Sequence, residues 1–226
     1  MATDDPARTL TVTLYWSFRS PYSYVLLPRI LDLREQYRVT VDLRIVHPAA
    51  IRNPSYFARM DPLARPYFLS DSARAAAFHD LPFRRPVPDP IEQNPVTLAI
   101  APTQPLALRL GRLGIEAVEQ KRGLEFAREV SRLLWDGSVN GWDRGAHLAD
   151  AAARAGLDLH ALEAAIAKDP APYDARLTEN DRMLRAAGHW GVPAMVFDGE
   201  IFFGQDRFDM LLWRLRQQGL APRPSS

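Results

Sequence analysis

Three short segments hold the side chains with the most chemical promise. The first is Ser17-Phe18-Arg19-Ser20-Pro21-Tyr22-Ser23-Tyr24, which follows an apolar run and opens a helix-like one. Pro21 suits the first turn of a helix, where its missing N–H has no intrahelical partner, and Ser20 is then a natural N-cap. A hydroxyl there serves either as a plain cap or as a hydrogen-bond donor to an anion, because a helix N-terminus offers free N–H groups and a positive dipole end. No G-x-S-x-G motif is present and no histidine neighbours Ser20, so a serine-hydrolase reading is weak.

The second segment, Gly191-Val192-Pro193-Ala194, enters another apolar run. Proline is allowed at the first residue of a strand. The trans form of Val192-Pro193 is the ordinary choice; a cis bond would expose the Val192 backbone to an extended ligand. The third segment is Gly204-Gln205-Asp206-Arg207. Asp206 reads either as the N-cap of a terminal helix or as a binding carboxylate.

Composition narrows the chemistry. The chain has no cysteine, which removes disulfide exchange, thiolate nucleophiles and cysteine-held metals from its own repertoire. Its five histidines are scattered without H-x-x-x-H or H-E-x-x-H spacing, so no metal is expected. Lys plus Arg number 28 against 27 Asp plus Glu, a balance that favours neither nucleic acid nor an anionic membrane surface. No apolar run reaches the roughly 20 residues that span a bilayer. The opening MATDDPARTL is acidic and polar, unlike a secretory signal, and a cytoplasmic location is the expectation.

The elements that position these segments follow from periodicity. Residues 9–16 (TLTVTLYW) read as a buried strand, 22–37 as a helix bent at Pro28, and 39–46 (VTVDLRIV) as a second strand. A β-α-β crossover of this kind favours parallel pairing. Seven prolines then punctuate residues 48–88, leaving room for one helix at 70–79. Helices are predicted over 104–113, 116–135, 143–155, 159–167 and 173–187, several of them ending at glycine. Residues 193–197 and 200–203 flank Asp198-Gly199, a two-residue hairpin signal, and 207–218 is an amphipathic terminal helix.

The order β-S-P-Y-helix, helical block, G-V-P-strand, D-G hairpin, G-Q-D-R-helix resembles the 2-hydroxychromene-2-carboxylate isomerase and kappa-class glutathione transferase family of the DsbA-like thioredoxin superfamily. The resemblance runs from about residue 11 to 216 and is strongest in YWSFRSPYSY and GVPAMVFDGEIFFGQDRFDML. It implies an α/β, thioredoxin-like (DsbA-like) fold with a large, mostly helical insertion between the β-α-β and β-β-α halves. The thioredoxin-like domain is then discontinuous, residues 9–47 and 190–218, around an insertion at 48–189. The resemblance further implies that glutathione is the cofactor, that Ser20 is catalytic by favouring its thiolate, and that Pro21 and Tyr22 stand beside it. Pro193 takes a cis-proline position, with the Val192 backbone pairing the cysteinyl part of glutathione. Gln205 and Asp206 match the positions that receive the γ-glutamyl end. Asn53, in the loosely matching stretch Ile51-Arg52-Asn53-Pro54-Ser55, is a further contact implied by the family. Ser17 and Arg19 depart from the family pattern; Arg19 either reinforces the thiolate or points to solvent.

The expected activity is a glutathione-dependent isomerisation of a conjugated aromatic carbonyl compound. Tyr56, Phe57, Tyr67 and Phe68 would wall a pocket for a small aromatic substrate or else belong to the core. The alternatives are a kappa-like glutathione transferase or peroxidase, and a non-catalytic thioredoxin-fold module that binds a partner chain. No nucleic-acid or membrane partner is expected, and the resemblance implies a homodimer.

Overall fold

The β-branched run at the front of the chain becomes the middle of a sheet. The computed structural model describes residues 9–55, 59–94, 96–97 and 99–224. Strand β1 (Leu10–Trp16) is followed by α1 (Pro21–Gln36) and β2 (Val39–Ile45). A helical stretch comes next: α2 (Ala49–Arg52), α3 (Ala64–Phe78), α4 (Pro105–Glu119), α5 (Gly123–Trp135), α6 (His147–Arg154), α7 (Leu159–Lys168) and α8 (Ala171–Ala186). The chain closes with β3 (Ala194–Phe197), β4 (Glu200–Phe203), a 3₁₀ turn at Gln205–Arg207 and α9 (Phe208–Gln217).

The sheet order is β2-β1-β3-β4. β1 pairs parallel with β2, from Leu10 opposite Val39 to Trp16 opposite Ile45, and antiparallel with β3. A central strand covered on both faces must be apolar on both, and Leu14, Tyr15 and Trp16 are successively buried. At the β3–β4 hairpin, Asp198 and Gly199 adopt φ of 50° and 78°, the left-handed pair that a type I′ turn demands.

Local signals misplaced several helix ends. α3 begins at Ala64, six residues before the expected start, because Pro66 falls in a first turn that tolerates proline. The predicted boundary near Leu113 is absent: α4 runs on through Gly111 and Gly114, and the chain breaks instead at Lys121, with φ of 61°. Gly114 is there for packing, since its backbone lies against Phe18 and Ile45. α6 starts at His147 rather than residue 143, after Gly145 turns left-handed at φ 58°.

One buried apolar cluster joins the sheet to the helices, with Leu14, Trp16, Ile30, Leu113, Phe126 and Leu162 all members. α1 packs on α5, and α4 packs on β2. Two tryptophans from the helical stretch also bond to loop carbonyls: Trp135 Nε1 donates to Phe18 O at 2.9 Å, and Trp142 Nε1 to Pro88 O at 2.8 Å. No described helix is long and apolar enough to cross a membrane.

Gly114→Ala separates packing from propensity. Helix propensity alone favours alanine by about 1 kcal/mol. The added Cβ would stand 2.8 Å from Cε2 of Phe18 and 3.1 Å from Cγ1 of Ile45. Phe18 is itself buried and edge-on to Phe126, so it cannot swing away. Urea unfolding is expected to show a net loss of about 1–3 kcal/mol.

Candidate active site

The turn after β1 delivers Ser20 to the end of α1. Its backbone is extended (φ −93°, ψ 115°), and its Oγ accepts the Ser23 N–H at 3.2 Å while donating to the Val192 carbonyl, also at 3.2 Å. Ser20 is therefore the N-cap, with Pro21 at the first helical position. One hydroxyl thus links the positive end of α1 to the loop before β3. The Val192–Pro193 bond is cis.

That loop is held by its neighbours. Arg52, with a side chain only 4% exposed, donates through Nε to His47 O at 2.6 Å and through Nη1 to Trp190 O at 2.8 Å. Nη1 also pairs with Asp181 at 2.5 Å. His189 Nδ1 accepts the Gly191 N–H at 2.8 Å, and the His189 ring stacks on Phe203 with centroids 3.8 Å apart. A Cβ at Gly191 would run into that Phe203 ring, so the close approach requires glycine.

These pieces surround a cavity of about 230 Å³. Ser20, Pro21, Tyr22 and Val192, all expected from the sequence, lie on its wall. Pro193 is buried behind them, its carbonyl accepting the Gly204 N–H at 2.9 Å. Tyr22 donates to Asp71 Oδ2 at 2.6 Å; burial and that bond push its pKa well above the usual phenol range, so its proton stays on.

The remaining expected contacts sit elsewhere. Asn53 is the C-cap of α2, and its Oδ1 accepts from Ser55 at 3.3 Å and Arg59 at 3.4 Å; it does not line the cavity, whereas its neighbour Arg52 does. Gln205 also lies off the cavity wall, its Oε1 accepting from Arg29 at 2.6 Å and lying 3.2 Å from His79 Nε2. Asp206 caps nothing: it lies within the 3₁₀ turn, largely exposed, and pairs with Arg207 at 3.0 Å. Among the aromatics, Phe68 lines the cavity and Tyr67 is mostly exposed away from it, so neither is core. Tyr56 and Phe57 lie outside the described residues.

Sequence reading missed much of the wall. Arg52, Arg65, Arg85, Trp190 and Phe203 all line it. Trp190 and Arg52 stand one or two residues from positions that were singled out, so their neighbourhoods were visible although their roles were not. Arg19 neither points to solvent nor stands alone: Nε and Nη2 meet both oxygens of Asp89 at 3.0 Å. Burial raises the Asp89 pKa, but the Arg19 charge and bonds, the Ile91 N–H and Arg85 outweigh it and hold the carboxyl below its usual range.

The sequence matches the DSBA-like thioredoxin domain over residues 11–216. The chain belongs to that family. Its helix-terminal serine occupies the turn between the first strand and helix of the fold. A solved 2-hydroxychromene-2-carboxylate isomerase superposes with a TM-score of 0.70 at 19% identity, covering 92% of this chain and 97% of that one. The cytosolic disulfide reductase DsbM from Pseudomonas aeruginosa gives 0.60 at 16% identity, over 92% and 100%. The thiol-disulfide exchange protein alpha-DsbA2 from Wolbachia pipientis gives 0.55 at 9%, over 94% and 83%. At these identities the likeness is one of fold. No curated protein matches the sequence significantly.

Because the folded pKa of Asp89 is depressed, its contribution is complete above the unfolded carboxyl value and lost as pH falls through the folded one. Asp89→Asn is expected to cost about 2–3 kcal/mol in denaturant unfolding at neutral pH. The gap between variant and wild type should close below about pH 4.

Proposed function

We propose that the protein is a glutathione-dependent isomerase of a conjugated aromatic carbonyl compound, similar to 2-hydroxychromene-2-carboxylate isomerase. The observation that carries this reading is the place of Ser20, with its Oγ at the N-terminus of α1, on the cavity wall and against Val192. The chain has no cysteine, so a reactive sulfur has to come with a ligand. A structural neighbour, DsbM, was solved with GSH.

The residues present suit such a ligand. Ser20 Oγ carries one proton, now shared with the Val192 carbonyl, and turning it toward the cavity donates it to a sulfur there. A charge-assisted hydrogen bond and the α1 dipole both favour the anionic form of a thiol. The Val192 backbone, fixed through the Arg52 bond to Trp190 O, offers the edge along which a short peptide could extend. When bound, glutathione supplies a nucleophile whose reversible addition to a conjugated carbonyl compound turns a double bond into a rotatable single bond. The protein's part is orientation and thiolate stabilisation, while Tyr22, Phe68 and Trp135 give the cavity an aromatic side for the co-substrate. On the same reading the enzyme is a cytoplasmic homodimer.

Calorimetry with glutathione is the first test, and absence of binding at millimolar concentration would sink this reading together with the transferase alternative. Ser20→Ala is expected to lower turnover of a hydroxychromene carboxylate by about 10- to 100-fold. The pKa of the bound thiol, read from thiolate absorbance, should rise toward that of free glutathione. Full activity in the variant would falsify the role given to Ser20.

A further inference from the structure

The segment Trp190-Gly191-Val192 is held by one bond at each residue. The Trp190 carbonyl accepts from Arg52 at 2.8 Å, and the Val192 carbonyl accepts from the Ser20 hydroxyl at 3.2 Å. Between them, the Gly191 N–H donates to Nδ1 of His189 at 2.8 Å. A guanidinium and a hydroxyl keep their protons at neutral pH, so the first two bonds are insensitive to it. The third uses an imidazole, which titrates near neutrality.

The geometry sets the state of that ring. A nitrogen that accepts a hydrogen bond carries no proton, so Nδ1 is bare and the neutral ring bears its proton on Nε2. A second proton can go only to Nδ1, where it would set a donor against the Gly191 donor. The ring is stacked on Phe203 of β4, with centroids 3.8 Å apart, and near-parallel to Trp190 at 5.7 Å. Burial pushes its pKa below the ordinary histidine value, and no charged side chain among the described residues acts on it. Trp190, Gly191, Val192 and Phe203 line the cavity while His189 itself does not, so it acts through them.

We infer that His189 is a positioning residue: as a neutral imidazole it holds Gly191, and through it the Val192 backbone, in the conformation that receives a ligand, and as an imidazolium it releases them. The inference rests on the proposed glutathione site for its ligand but not for its geometry. Because the folded pKa is depressed, the hold is complete above the unfolded histidine value and lost as pH falls through the folded one. Affinity at the Val192 edge then follows the fraction of the chain in which His189 is neutral.

The Gly191 amide signal in proton–nitrogen NMR spectra of the full chain reads the bond without any ligand. It is expected to titrate in step with the His189 ring, with Nδ1 the unprotonated nitrogen at neutral pH. The ligand probe is S-methylglutathione, which has no thiol to titrate, measured by calorimetry at about pH 7 and about pH 5. Wild type should bind about 3- to 10-fold more weakly at the lower pH. His189→Asn supplies a non-titrating acceptor that makes the same bond to the N–H two residues on. It should restore binding at neutral pH and remove the pH dependence. His189→Phe keeps a ring against Phe203 without an acceptor, and should bind about 3- to 10-fold more weakly at both pH values. His47 and His79 remain in both variants, so a pH dependence that persists in His189→Asn belongs elsewhere and would overturn the inference. A Gly191 amide that does not follow His189, or a wild-type affinity that is flat with pH, would overturn it equally. If S-methylglutathione does not bind wild type at neutral pH, the glutathione reading falls, and the Gly191 titration still decides the role of His189.

Discussion

The first turn of an α-helix leaves its N–H groups without partners, and this structure puts that deficit at the wall of a cavity. Ser20 resolves part of it by accepting from Ser23, and its own proton reaches across to Val192. Everything around the site answers to that arrangement. The parallel pairing of β1 with β2 brings α1 across the sheet, and the antiparallel β3 brings Val192 back beside Ser20. A side chain separated from Val192 by more than 170 residues thereby becomes its hydrogen-bond donor.

The positive character of the cavity follows from the same logic on a larger scale. Guanidinium groups drawn from water need carboxylates, and here Asp89 and Asp181 are each divided between two arginines. Arg52 gives part of its charge to structure by holding the Trp190 carbonyl, so the loop that carries Val192 is fixed by the same group that lines the cavity. Positioning and electrostatics are not separable at this residue.

Much of the frame was legible because its signals are local. Ser20-Pro21 announces a helix start and Asp198-Gly199 a hairpin, residues 9–16 read as a buried strand from their β-branched and aromatic content, and 39–46 as a second strand from its alternation. The site was legible only in part, because its wall is assembled from residues distant in the chain. Arg65 carries no signal of its own, since an arginine in a proline-rich stretch reads as surface. Asn53 and Asp206 lie in the segments that were singled out but not on the cavity wall: Arg52 lines it beside Asn53, and Asp206 lies within the 3₁₀ turn rather than at the capping position. Gly114 misled in the opposite sense, looking like a helix end when it is a packing contact with Phe18.

The bond from Trp135 to the Phe18 carbonyl has a thermodynamic meaning. Phe18 belongs to the turn that holds Ser20, and Trp135 closes the long helix α5 from the helical stretch. Trp135 also stacks on Phe83, in the segment that follows α3. To loosen the Ser20 turn, the chain must break a buried hydrogen bond and open the apolar cluster that binds sheet to helices. The Ser20 turn is thereby tied to the packing of the helical stretch instead of standing as an independent surface loop.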